Sequence, residues 1–149
     1  MPNLLCITEP TEILVAELSG VANRVSVILP WGSLLRGIAL PETTFLNHLR
    51  FLCASDATVE IVFSYDERRD AGQQGRLGFA PTNEWGVRGI LAESYERAGF
   101  QVASIETISQ SGLRLYETTW AKRLSFARPR EIWRVRLSVS QVNQESNSP

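Results

Sequence analysis

An alternating apolar run, Arg24-Val25-Ser26-Val27-Ile28-Leu29, leads directly into Pro30-Trp31-Gly32-Ser33-Leu34-Leu35-Arg36-Gly37. The alternation reads as a strand entering a core. Pro30 ends that strand, because proline has no N–H to give to a ladder. Trp31 is thereby set just past the carboxyl end of the strand, ahead of a glycine that lets the backbone turn. Open α/β sheets hold their ligands at that edge. On the local pattern alone two readings of Trp31 stay open: a platform for a flat substrate, or a cap on the core.

Other segments arrange themselves around this strand. Leu4–Thr8 reads as a short buried strand broken by Pro10, followed by a weak helical turn through Leu14 and Leu18 that Gly20 ends. Pro41 suits the first position of a helix with Phe45, Leu46, Leu49, Leu52 and Cys53 on one face. Thr58–Phe63 reads as a further strand. Residues 64–81 are polar and glycine-rich, a long loop for a compact domain. Thr82 is expected to cap a helix that buries Val87, Leu91 and Tyr95 and stops at Gly99. Phe100–Ile108 and Trp133–Val139 read as strands, the latter alternating strictly enough to be antiparallel. Between them Thr119 is expected to cap a short helix that Pro129 closes. Residues 140–149 form a polar tail that is expected to be disordered. Strands alternating with helices, closed by an antiparallel pair, predict an α/β sheet of Rossmann type.

Composition narrows the class. At 149 residues, 44% hydrophobic and 21% charged with a formal net charge of −1, the chain fits one soluble domain with a sizeable core. No apolar run approaches a membrane span, and no basic-then-apolar signal opens the sequence. Cys6 and Cys53 lie among apolar residues without metal spacing, which reads as reduced core thiols of a cytoplasmic protein and no metal site. His48, the only histidine, sits with Phe45, Leu49 and Phe51 and reads as a packing residue. All but one of the 15 basic residues are arginine, and Lys122, Arg123, Arg128, Arg130, Arg134 and Arg136 crowd one end. Arginine forks suit phosphate oxygens and base edges, so this band reads as a nucleic-acid footprint.

Three stretches together are specific: Val27-Ile28-Leu29-Pro30-Trp31-Gly32-Ser33-Leu34-Leu35-Arg36-Gly37, Ala98-Gly99-Phe100 and Thr119-Trp120-Ala121-Lys122-Arg123-Leu124. With them the chain resembles, over nearly all of residues 3–139, the S-adenosylmethionine-dependent 16S rRNA adenine-N1 methyltransferases of the kanamycin-apramycin resistance type. The resemblance implies a class I methyltransferase fold, S-adenosylmethionine as cofactor, and 16S rRNA of the small ribosomal subunit as partner, with aminoglycoside resistance as a consequence. It also implies that Trp31 and Trp120 sandwich the flipped target adenine, replacing its lost stacking. By the same resemblance Arg123, Arg128 and Arg130, helped by Lys122, grip rRNA phosphates, and Ser33 helps orient the base or cofactor. Thr8, Glu9, Glu12 and Pro30 fall where the family approaches its cofactor. No general base is needed, since adenine N1 carries an in-plane lone pair; alignment does the work.

One departure is as informative as the matches. The class carries a glycine-rich cofactor loop after its first strand and an acidic ribose-binding residue after its second, and neither pattern occurs here. The chain therefore reads as a partial domain over 1–139 that starts at the third strand of the class and carries its substrate-facing part. A truncated gene or misplaced start would give this, the favoured explanation, as would a split enzyme completed by another chain. The Arg24–Leu29 strand is then expected at an exposed edge. A non-catalytic RNA-binding remnant or subunit is the alternative. A guanine-N7 tRNA enzyme of the same fold is disfavoured, because its pocket would be expected to bring carboxylates to the base edge.

Overall fold

The computed structural model describes residues 18–39, 41–65, 84–126 and 130–139. Its elements are β1 (Ala22–Ile28), α1 (Gly32–Ala39), α2 (Thr43–Leu52), β2 (Cys53–Tyr65), α3 (Glu84–Arg97), β3 (Phe100–Thr107), a 3-10 turn (Gln110–Leu115), α4 (Thr119–Ser125) and β4 (Glu131–Val139). The strands make one sheet in the order β1-β2-β4-β3. β1 runs parallel to β2, with Val25 opposite Val59 and Val27 opposite Ile61. β4 is antiparallel to both neighbours, Val135 facing Ile61 on one side and Ile105 on the other. This is the α/β sheet with a closing antiparallel pair that the alternation implies, and β1 is its outer strand among the described residues.

The core follows from the period-two pattern of β2 and β4. Val59, Ile61 and Phe63 join Trp133, Val135 and Leu137 on one face, under Leu35 and Ile38 of α1, Phe45, Leu46 and Leu49 of α2, and Leu91 and Tyr95 of α3. Tyr95 is fully buried, and its hydroxyl donates to the Ile38 carbonyl at 3.3 Å, tying α3 to α1. Burial without charge compensation pushes that phenol well above its ordinary range. The opposite face of the sheet is divided. Near the carboxyl ends of β1 and β2, Leu29, Val62 and Ile132 meet Leu113 and Ala121 in a second, smaller cluster. Away from that end the face is polar, carrying Arg24, Ser26, Glu60, Arg134 and Arg136. The smaller cluster is what fastens the β3–β4 linker over the sheet.

Several sequence expectations need correction. The stretch after Trp31 forms the helix α1, not an open turn: Gly32 takes a left-handed φ of 59° and starts it, and Leu34 to Ile38 supply a helical apolar stripe. α2 begins at Thr43 with Glu42 at its N-cap, so Pro41 stands just outside it. Cys53 belongs to β2, which follows α2 without a connecting residue; its backbone is already extended, at φ −77° and ψ 133°. Its side chain is buried all the same, and the thiol donates to the Leu49 carbonyl at 3.2 Å. Thr118, not Thr119, caps α4, because its hydroxyl accepts the Ala121 N–H at 3.0 Å. Gly99 ends α3 as expected, with φ of 87°. The Leu4–Thr8 strand, the helical turn as far as Leu14, Thr82, most of the 64–81 loop and the polar tail lie outside the described residues.

Candidate functional site

Leu29 closes β1 in an unusual way. It is buried at the head of the smaller cluster, yet its φ is 51°, the left-handed region that costs a branched residue about 1–3 kcal/mol. The conformation is held by its N–H, which donates to the Val62 carbonyl at 2.7 Å, and by the apolar seat of its side chain. The residue before a proline is also barred from the right-handed helical region, so Leu29 cannot simply begin a helix. The result is a sharp exit that carries Pro30 and Trp31 over the carboxyl edge of the parallel strands. Trp31 is 54% exposed there.

Trp120 reaches the same place from the other side of the sheet. Its helix α4 is fixed at several points. Ser109 caps the 3-10 turn by accepting the Gly112 N–H at 3.2 Å, and the Gln110 side-chain amide donates to the Leu124 carbonyl. Tyr116, just before α4, donates to Glu60 on β2 at 3.3 Å. Burial is the main reason its phenol is pushed above the ordinary range. Ala121 is fully buried beneath α4. Thus held, the Trp120 ring stands against Trp31 edge to face, with centroids 5.1 Å apart and planes at 67°.

The two rings bound a narrow slot of about 20 Å³, lined further by Leu29, Pro30, Leu35, Ser64, Leu124 and Arg130. Trp31, Trp120, Pro30 and Arg130, which the sequence singles out on separate segments, therefore meet at one edge of the sheet. Lys122 and Arg123 are exposed on α4. Ser33 is exposed in the first turn of α1 and does not line the slot. Thr8, Glu9, Glu12 and Arg128 lie outside the described residues. Sequence reasoning missed Ser64, which lines the slot from the end of β2 and donates to the Glu131 carbonyl at 3.1 Å. Its position at the carboxyl end of a parallel strand was the available signal.

The basic band separates into two groups. Arg134 donates to a Glu106 carboxylate oxygen through Nε at 3.1 Å and Nη2 at 2.9 Å, and Arg136 lies 3.5 Å from Glu60. Both pairs bridge neighbouring strands, so these arginines are engaged in the sheet. Lys122 and Arg123 make no ion pair among the described residues and stand on the linker that carries Trp120. A pair of aromatic planes at a sheet edge, with exposed cations on the same linker, is an arrangement suited to an extruded base and its phosphates.

The chain is 26% identical over 145 residues to the 16S rRNA (adenine(1408)-N(1))-methyltransferase of Escherichia coli, covering 95% of this chain and 65% of that protein. Among solved structures it resembles the aminoglycoside resistance methyltransferase NpmB1, with a TM-score of 0.72 and 34% identity over 88% of this chain and 58% of that one. It also resembles the 16S rRNA (adenine(1408)-N(1))-methyltransferase from Catenulisporales acidiphilia, solved as a point variant with cosubstrate SAM. There the TM-score is 0.73 at 25% identity, over 95% of this chain and 62% of that one. The chain thus spans 58–65% of the length of these relatives. The family model for NpmA, 16S rRNA (adenine(1408)-N(1))-methyltransferase, matches residues 1–139, and this chain belongs to that family.

Proposed function

We propose that this chain carries the substrate-facing part of an enzyme that transfers a methyl group from S-adenosylmethionine to N1 of a decoding-site adenine in 16S rRNA. Its place of work is the cytoplasm, on the small ribosomal subunit, and protection from aminoglycosides is the consequence. The observation that carries this reading is the convergence of Trp31 and Trp120 at the carboxyl edge of the sheet. In it the two indoles hold the extruded base, and Lys122, Arg123, Arg128 and Arg130 take the neighbouring phosphates, which position the RNA without reading its sequence.

The edge-to-face contact describes the slot before a base enters. A base stacked on both faces needs about 3.5–4.0 Å on each side, so the ring planes must stand about 7–8 Å apart and parallel. From 5.1 Å and 67°, one indole has to swing aside. Trp31 is the more exposed ring and sits on a turn, whereas Trp120 is half-buried on a helix fixed at several points. Trp31 is therefore the ring that moves.

Of the four positions assigned to S-adenosylmethionine, Thr8, Glu9 and Glu12 lie outside the described residues, and Pro30 lines both the slot and a cavity of about 340 Å³ between β1 and α2. Because the chain spans 58–65% of the length of its relatives, the second reading is an RNA-binding protein without methyl transfer. Calorimetric titration of S-adenosylmethionine into the folded 149-residue chain, followed by a methyl-transfer assay on small subunits, separates the two. Micromolar binding and transfer support the enzyme; subunit binding without cofactor binding supports the second reading.

A further inference from the structure

Phe126 is 78% exposed at the end of α4, the most exposed large hydrophobic side chain among the described residues. Its backbone is not loose: the N–H donates to the carbonyls of Arg123 and Leu124, closing the helix with Phe126 still in the right-handed region at φ −107° and ψ −3°. One side of the ring is taken by Arg114, whose guanidinium carbon lies 5.2 Å from the ring centroid. Arg114 comes from the 3-10 turn, itself capped by Ser109. The ring is thus held from two elements, has a cation on one side, and among the described residues has no other ring or cation against it.

The surroundings indicate what would cover it. Arg114 sets positive charge against the ring, and Lys122 and Arg123 are exposed on the same helix, four and three residues before Phe126. An apolar protein partner would have to bury these cations, while a nucleotide brings both a flat π face and a phosphate. Phe126 and Trp120 lie six residues apart on and just after one helix, about 9 Å of rise. The two side chains also stand about 120° apart around the axis, so an RNA strand that wraps the end of the helix, rather than one lying straight along it, reaches both.

Resting on the RNA-facing reading above, we infer that Phe126 and Arg114 form a second stacking platform, for an unpaired base of the RNA substrate other than the one held between Trp31 and Trp120. The guanidinium orients the ring and meets the phosphate side, and the open face of the ring takes the base. Stacking of this type is sequence-tolerant, so the platform adds affinity and register without specifying which base it holds.

The test is the affinity of the full 149-residue chain for purified bacterial small ribosomal subunits, with circular dichroism to confirm that each variant folds. Phe126→Leu keeps apolar surface and removes the π face; it is expected to bind about tenfold more weakly, as Phe126→Ala does, whereas Phe126→Trp restores wild-type binding. None of the three changes the dependence of binding on salt, because no charge is removed. Phe126→Leu binding as tightly as wild type, while Arg123→Glu still weakens binding, would overturn the platform and leave the RNA-facing reading standing. A wild-type chain that folds and does not bind subunits would overturn that reading and the platform with it.

Discussion

Gly37 offers a prediction whose sign depends on the packing of the site's first helix. It is buried in α1, where helix propensity alone favours alanine over glycine by about 1 kcal/mol. A Cβ added there would stand 2.7 Å from Cγ and 3.0 Å from Cβ of Phe45. Those atoms are the root of the Phe45 side chain, so no rotation of the ring can clear them. α1 and α2 would have to separate, against the contacts of Leu35, Ile38, Leu46 and Leu49 in the common core. Overpacking of this kind costs about 1–3 kcal/mol, which outweighs the propensity gain and leaves Gly37→Ala less stable by up to about 2 kcal/mol. For a chain of this size that lowers Tm by about 2–4 °C per kcal/mol. Urea unfolding with matched thermal melts measures it, and Phe45→Ala supplies the second leg of a double-mutant cycle. In the Phe45→Ala background the added methyl should become neutral or stabilising, giving a coupling of about 1–3 kcal/mol. A Gly37→Ala chain that melts higher than wild type would refute the reasoning.

Other expectations follow from the same structure. Gly32 has open space around its missing Cβ but a φ of 59°, so Gly32→Ala should cost about 1 kcal/mol through backbone strain, and Gly32→Asn, which tolerates that region, less; equal stability of all three in urea would contradict this. Burial raises the Cys53 thiol above its ordinary value of 9.0, with Arg50 opposing in part. A raised folded-state value makes this contribution fully present below pH 9 and lost as pH rises through the shifted value. Stability measured from neutral pH upward should therefore fall above pH 9, and Cys53→Ala should flatten that fall; an unchanged slope would place the effect elsewhere. Arg123→Glu should weaken binding to small subunits and flatten its dependence on salt, since a phosphate contact releases counterions. Unaltered salt dependence would remove Arg123 from the phosphate-facing surface.

What could be read from the sequence was what depends on short-range pattern. The strict alternation of Trp133–Val139 fixes β4 because one face is buried and a one-residue slip would reverse every side chain. Pro30 ends β1, and Trp120 falls on the last linker, for reasons visible in the chain itself. α1 escaped because Gly32 and Gly37 both look like turn residues. Only the structure shows that the first supplies a left-handed entry and the second a close approach to Phe45. The division of the arginines was equally hidden. Arg134 and Arg136 look like Arg123 in the sequence, and only the register that sets them beside Glu106 and Glu60 shows that they are engaged. Arg114 on Phe126 joins the 3-10 turn to the end of α4 across a gap that no spacing rule covers.

The central claim is that Trp31 and Trp120 hold one base between them. Its most direct test is the affinity of the 149-residue chain for small ribosomal subunits, measured for Trp31→Ala, Trp120→Ala and the double variant. Each single change should cost about 1–3 kcal/mol, the worth of a stacked base. Because both rings act on the same base, the double variant should lose little more than either single one. Binding that is unaffected by either change, or losses that simply add, would mean that the two rings do not share a base.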